Sequence, residues 1–259
     1  MSAYEGNFLS GPEVLDPGFD YKYAVLYPHG SNIGIENGRL TPRLTKLSEI
    51  AVDGAIELRK RRPDVTIVVP GESAFGRPDT GDLMVERALE TSDVPKDAFW
   101  LLHKTAKGKG LTNTYRQSQA VVEELGNEAD DTVGVTDWYH WPRAKASLEA
   151  LGMWLPFTTA ESLLHARGIR EHDRYLDLID TLRDTTEQRA KKLTDDIHLP
   201  KGQLINALMV LTGPRIVDII EHEDGELELE NSFSRIKKPG LVLQLGLMQL
   251  RGVFRDSAA

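Results

Sequence analysis

Asp137, His140 and Arg143 are spaced at equal intervals in the segment Val135–Ala144, which reads V-T-D-W-Y-H-W-P-R-A. An imidazole can carry a proton near neutral pH, a carboxylate can orient that imidazole, and a guanidinium can hold a phosphate or carboxylate by a two-pronged contact. Asp82 is an alternative carboxylate partner for the imidazole. The sequence therefore predicts His140, Asp137 and Asp82 as catalytic residues and Arg143 as an anion contact.

A strand that breaks into a helix is predicted to position these side chains. The run from Thr132 to Thr136 is short, apolar and rich in β-branched residues, as expected of a strand buried on both faces. Pro142 suits the first turn of a helix, where its missing N–H is not needed. The site residues are thus expected near the carboxyl end of a strand, where open α/β sheets bind their ligands.

Strand-length apolar segments alternate with helix-length segments in the first part of the chain. This alternation predicts an α/β fold, with a mainly parallel sheet between two layers of helices, over residues 20–158. The first helix is predicted to open with Thr41 as N-cap and Pro42 in its first turn. The predicted strands are Tyr23–Tyr27, Thr66–Val69, Phe99–His103, Thr132–Thr136 and Met153–Phe157.

From residue 159 to residue 259 the hydrophobic period becomes helical. This change predicts a mainly helical C-terminal extension, within which Gly225–Glu230 is either a short strand or an acidic loop. Two roles fit such an extension: a lid over the sheet edge, and an oligomerisation surface in a homo-oligomer.

Small and hydrogen-bonding residues follow the ends of the predicted strands. Parallel strands place their following loops at one edge, where glycines let backbone N–H groups approach an anion and helix N-termini add donors. Residues of this kind also serve simply to make tight turns. The first loop lacks the pattern G-x-G-x-x-G, which disfavours an ordinary NAD site. The predicted ligand-binding residues are Gly30, Ser31, Asn32, Arg43, Gly71, Glu72, Ser73, Asn113, Thr114, Tyr139 and Arg143.

The composition disfavours several classes of protein. A net charge of −9 and a pI near 5.3 argue against a nucleic-acid-binding protein, which needs a strongly positive face. The absence of cysteine removes disulfides, thiolate metal sites and a cysteine nucleophile. His29, His140, Glu72 and Asp82 are competent metal ligands, but their spacing matches no close ligand motif, and no metal is predicted.

The sequence also lacks the signs of export or membrane insertion. Its N-terminus has no basic start followed by an apolar segment. The richest apolar stretch, Leu241–Leu250, is too short to span a bilayer of about 30 Å. A cytoplasmic protein without a membrane segment is expected.

Several of these segments together resemble the YdcF/SanA/ElyC family of Rossmann-like domains. The resemblance covers about residues 23–158, and both the order and the spacing of the segments fit the family. The most distinctive segment contains Tyr139, His140, Arg143 and Ala144. The full set is Arg43-Leu44, Gly71 after T-I-V-V-P, N-T-Y from Asn113 to Tyr115, and Val135–Ala144.

The chain departs from the family pattern at three positions. Arg116 and Gln117 replace an acidic residue and an Asn that usually follow the N-T-Y start, and Asp82 stands where a Glu is common. These departures bear on the identity of the ligand more than on the fold. Because no N-terminal membrane segment is evident, the chain is more similar to the soluble branch of the family.

The resemblance implies a Rossmann-like three-layer sandwich with a polar cleft at the strand ends. By analogy, the candidate ligands are S-adenosylmethionine, a nucleotide, a phosphorylated sugar or a lipid-linked precursor. The preferred hypothesis is an enzyme, a transferase or hydrolase, that acts on a small anionic ligand. The alternative is a non-catalytic, regulatory module that binds a metabolite such as S-adenosylmethionine or a nucleotide in the same cleft.

Overall fold

A five-stranded, all-parallel sheet is the centre of the protein in a computed structural model, which describes residues 20–36, 39–71, 79–105, 108, 114–176, 178–179, 217–222 and 224–231. The strands are β1 (Tyr23–Leu26), β2 (Ser31–Glu36), β3 (Arg39–Leu44), β4 (Thr66–Pro70), β5 (Phe99–Leu102), β6 (Thr132–Thr136), β7 (Phe157–Thr159), β8 (Val217–Glu221) and β9 (Leu227–Asn231). The α-helices are α1 (Lys46–Arg61), α2 (Thr80–Thr91), α3 (Thr114–Leu125), α4 (Trp141–Ala150) and α5 (Ala160–Ala166).

The strands of the parallel sheet follow the spatial order β5-β4-β1-β6-β7. After β1, the chain places β4 and then β5 on one side of it, and then β6 and β7 on the other side, as in Rossmann-like folds. The predicted α/β class with a mainly parallel sheet is confirmed, and β1 and β6 are adjacent at the point where the order reverses.

Helices cover both faces of the sheet because its strands are apolar on both sides. Ala24 and Leu26 face a core that includes the buried residues of α1, α2 and α5. Val25 and Tyr27 face a second core that includes the buried residues of α3 and α4. Each fully buried side chain of leucine size stabilises the fold by about 1.5–3 kcal/mol, so both layers hold the sheet in place.

The predicted start of the first helix is wrong, because an antiparallel hairpin of β2 and β3 lies between β1 and α1. Pro42 lies in β3 opposite Ile33, and the N-cap of α1 is Thr45, whose hydroxyl accepts a hydrogen bond from Ser48 N at 3.2 Å. A proline disfavours helical backbone in the residue before it, which is consistent with a strand here. The hairpin makes Ser31 a strand residue instead of a loop residue.

The last strand of the sheet also differs from expectation. The strand predicted at Met153–Phe157 begins only at Phe157 and pairs with β6. In the described part of the C-terminal region, α5 packs on α1, and β8 and β9 form a hairpin that includes part of Gly225–Glu230. Leu241–Leu250 lies outside the described residues. None of the described helices has the length and apolar character needed to cross a membrane.

Candidate functional site

The candidate site lies where the order of the sheet reverses, at the carboxyl ends of β1 and β6. The helix that follows β1 packs on one face of the sheet, and the helix that follows β6 packs on the other. The two connections therefore diverge at this point, which is where open α/β sheets bind their ligands. The loop after β1 carries His29, and the loop after β6 carries Asp137, His140 and Arg143.

The start of α1 holds the loop after β1. The backbone N of His29 donates to Ser48 Oγ at 3.0 Å, and Ser48 Oγ donates to the carbonyl of Gly30 at 2.9 Å. Gly30 has a φ of 115°, a conformation that glycine adopts without the strain that a Cβ would cause. These contacts fix His29 at the end of β1.

A tight turn after β6 brings Asp137 against the start of α4. Asp137 Oδ1 accepts a hydrogen bond from the backbone N of His140 at 2.8 Å. From α5, both carboxylate oxygens of Glu161 accept from the backbone N of Trp138 at 3.1 Å. Because backbone donors at a helix start otherwise lack partners, these carboxylates fix the turn from two sides.

His29, Asp137 and His140 form what we call the His–Asp–His cluster. Their exposed fractions are 4%, 0% and 1% respectively. His29 Nδ1 lies 3.9 Å from Asp137 Oδ2, and the three residues can offer one donor atom each with all three atoms within 4.8 Å of one another. The two imidazole rings are nearly perpendicular, with centroids 5.5 Å apart. Two separate segments of the chain thus converge on one buried polar point.

Helix α3 supplies the contact that holds the His140 ring. Thr114 Oγ1 lies 3.0 Å from His140 Nε2, within hydrogen-bonding distance. The ring of Tyr27 meets the His140 ring edge-on, and its hydroxyl pairs with Ser118 at 3.2 Å. The sequence predicts a carboxylate partner for this imidazole, whereas a hydroxyl lies against its ring nitrogen.

Several buried polar atoms of the site have no hydrogen-bond partner within the described protein. A buried polar group without a partner costs about 1–3 kcal/mol, and most native proteins contain few of them. Their concentration at one end of the sheet is therefore unusual for a purely structural region. These atoms are both ring nitrogens of His29, Asp137 Oδ2, His140 Nδ1 and Arg143 Nε.

Burial controls the protonation of the cluster. Burial, followed by the charge of Arg143, lowers the pKa of His29 to about 3 and holds that of His140 well below its ordinary value. Burial raises the pKa of Asp137 to about 7, against the opposing effects of the His140 backbone N–H and of Arg143. Burial and then the Asp137 carboxylate raise the pKa of Glu161 to about 8. Both imidazoles are therefore neutral at pH 7, and their lone pairs are available.

We expect Glu161→Gln to flatten the pH dependence of stability. The glutamate pKa is about 8 in the folded protein and about 4.3 in an unfolded chain. The stabilising contribution is therefore full below about pH 4 and is lost as the pH rises through about 8. Glutamine does not titrate, yet its Oε1 still accepts from Trp138. Urea unfolding at intervals from pH 5 to pH 9 checks this expectation, and parallel stability profiles for the two proteins would contradict it.

The structure brings together only some of the predicted site residues. Thr114 touches His140, and the half-buried Tyr139 has its ring centroid 5.0 Å from that of His29. Asp82 is exposed on the first turn of α2 and groups with Asp79 and His103, not with Asp137 and His140.

The other predicted ligand-binding residues are not members of the His–Asp–His cluster. Gly71 makes room for Asp79, since a Cβ at position 71 would lie 1.8 Å from Asp79 Oδ1. Arg43 is exposed on β3, and Asn32 belongs to β2. Glu72, Ser73 and Asn113 lie outside the described residues.

Two residues of the site are absent from the predicted catalytic and ligand-binding residues, although His29 was noted as a competent metal ligand. His29 stands in Pro28-His29-Gly30 directly after a buried strand, and this position was a usable signal. Glu161 is a single acidic residue in the otherwise uncharged run from Thr158 to Leu164, and it is buried. No feature of its local spacing points to Trp138, because that contact depends on how α5 packs.

Comparison of the chain with protein-family profiles, curated proteins and solved structures gives no match. Membership of the YdcF/SanA/ElyC family therefore stays a prediction from the motifs.

Proposed function

We propose that the protein is an enzyme that acts on a small anionic, phosphate-bearing ligand at the carboxyl edge of the sheet. The observation that carries this proposal is the position of Arg143 beside the His–Asp–His cluster. Arg143 is partly exposed, and its charge acts on His29, Asp137 and His140. Its Nε is buried and has no hydrogen-bond partner among the described residues.

An arginine in this position favours an anionic ligand over a neutral one. The guanidinium presents its donors in a planar fork that matches two oxygens of a phosphate. Arg143 also lies in the first turn of α4, where the helix dipole favours a negative charge. A nucleotide or a sugar phosphate thus fits this end of the site better than S-adenosylmethionine, whose sulfonium is positive.

The His–Asp–His cluster is placed to be the reacting end of the site. A ligand phosphate on Arg143 would lie against the only described cluster in which two imidazoles and a carboxylate are buried together. Nitrogen and oxygen donors at such a point serve hydrolysis or group transfer. This arrangement supports assignment as a hydrolase or transferase.

A thermal-shift screen tests the proposal. The panel contains AMP, ADP, glucose 6-phosphate and S-adenosylmethionine, with adenosine and glucose as matched controls that lack phosphate. A ligand at 100 times its dissociation constant stabilises the protein by about 2.7 kcal/mol, which raises the melting temperature by several degrees. At least one phosphate-bearing compound is expected to stabilise the chain well beyond its control. Equal shifts for every matched pair would contradict anion binding.

The same screen separates the enzyme from the metabolite-binding module. The stabilising compound is incubated with the protein, and mass spectrometry follows its conversion over time. Formation of a hydrolysed or transferred product supports the enzyme. Tight binding with the compound unchanged favours the regulatory module.

A further inference from the structure

We infer that His29, Asp137 and His140 form a site for one divalent transition-metal ion, of which zinc is the representative. Two imidazoles and a carboxylate are the ligand set that zinc and similar divalent ions take in catalytic sites, where a further position stays open for water or substrate. The inference deepens the proposed function, because the ion would lie at the reacting end of the anion site.

The distances between the donor atoms suit a metal ion. His29 Nδ1 and Asp137 Oδ2 are 3.9 Å apart, and the three donor atoms lie within 4.8 Å of one another. In a tetrahedral site, two ligand atoms that each lie about 2.1 Å from the metal are about 3.4 Å apart. Small side-chain movements are enough to close the cluster around an ion.

For Asp137 and His140, a hydrogen bond holds one polar atom of the side chain and leaves the other free to bind an ion. Asp137 uses Oδ1 to accept from a backbone N–H, and its Oδ2 has no partner in the described protein. His140 Nε2 lies against Thr114, and its Nδ1 has no partner there. Outer contacts that orient a ligand while its metal-facing atom stays free are typical of metal sites.

Burial makes an ion the simplest explanation of these free atoms. All three side chains are more than nine-tenths buried, so bulk water cannot satisfy them. An ion would satisfy a donor atom from each residue at once, whereas no described protein group does so. A second group, Asp79, Asp82 and His103, is more exposed, and Asp79 already caps α2.

Arg143 links the ion to the anionic ligand of the proposed function. A guanidinium near a divalent cation is unfavourable by itself, and an anion that contacts both relieves the repulsion. We therefore expect the ion and a phosphate to bind with positive cooperativity.

The test is metal binding by the full, tag-free chain after treatment with a chelator. Zinc is titrated and its stoichiometry is measured by inductively coupled plasma mass spectrometry, and cobalt is used as a spectroscopic probe. The expected result is one ion per chain, with a cobalt spectrum of low coordination number. His29→Ala and Asp137→Asn are each expected to weaken binding by at least about 100-fold.

Asp137→Asn separates loss of the ligand from loss of the fold, since an Asn Oδ1 can still accept from the His140 backbone. Circular dichroism and thermal unfolding confirm that each variant is folded. His103→Ala is the matched control and is expected to bind zinc like the wild type. A wild-type chain that binds no ion, or cluster variants that bind as tightly as the wild type, would overturn the inference. Loss of the ion in His103→Ala alone would place it at the second group and would also overturn it.

Failure of the metal site and failure of the proposed function give different results. Metal titration is done without any anion, and phosphate binding is measured in chelator as well as in zinc. If the chain binds the metal but does not bind phosphate with or without it, the metal site is retained and the proposed function is ruled out. If the chain takes up no ion but binds phosphate in the presence of chelator, the metal site is ruled out and the proposed function is retained.

Discussion

Arg143→Ala should weaken binding of a phosphate-bearing ligand by about 10- to 100-fold. A hydrogen bond to a charged group contributes about 1.5–3 kcal/mol, and this variant removes the whole guanidinium. The effect should be large because Arg143 Nε is buried and has no hydrogen-bond partner in the described protein that would compete with the ligand. Isothermal titration calorimetry with the best compound of the thermal-shift panel measures the change.

Two further variants show whether charge alone explains this loss. Arg143→Lys keeps the positive charge but loses the planar fork, so its affinity should fall between those of the wild type and Arg143→Ala. Arg59→Ala removes a cation from the last turn of α1, at the opposite edge of the sheet, and should bind like the wild type. Equal losses in the Arg59 and Arg143 variants would mean that the ligand responds only to net charge.

Gly54→Val should lower the free energy of unfolding by about 3 kcal/mol, near the upper end of what overpacking a core costs. Gly54 lies on the buried face of α1, and a Cβ there would be 2.6 Å from the backbone Cα of Ala160. Backbone cannot move aside as a flexible side chain can, so α5 must shift. Urea unfolding monitored by circular dichroism measures the loss.

The displacement of α5 by Gly54→Val should also change the geometry of the candidate site. Glu161 lies on α5 and holds the backbone N–H of Trp138, next to Asp137. We therefore expect Gly54→Val to weaken phosphate binding under conditions in which the variant is still folded. Gly126→Ala is the control, because the nearest atom to its new Cβ is a Val122 methyl at 3.9 Å, and its stability should stay within about 0.5 kcal/mol. A Gly54→Val protein as stable as this control would contradict the close packing of α1 on α5.

The parallel sheet could be predicted because its strands are apolar on both faces. β6 was predicted with the bounds that the structure has, and β1, β4 and β5 were each predicted to within one residue at either end. The hairpin of β2 and β3 was missed because Thr41 and Pro42 also form a good helix start. Asn37-Gly38 is a strong hairpin signal in the sequence, and it favours the hairpin over a helix that starts at Thr41.

Local sequence predicted the site only where one segment supplies several residues. Asp137, His140 and Arg143 follow one strand, so their proximity was evident from their spacing. The contribution of His29 depends on β1 lying beside β6, and the order of strands in a sheet is a tertiary property. The exclusion of Asp82 from the cluster follows from the same order, because α2 comes after β4.

If a phosphate binds to Arg143 beside the His–Asp–His cluster, a phosphate analogue should occupy that position in a crystal. Crystals of the full chain are soaked in tungstate, whose anomalous scattering marks its site. We predict an anomalous peak with tungstate oxygens about 3 Å from the Arg143 guanidinium, next to His29, Asp137 and His140. Tungstate bound only at other surfaces, with none at Arg143 in crystals where this edge of the sheet is open to solvent, would show that Arg143 is not an anion-binding residue.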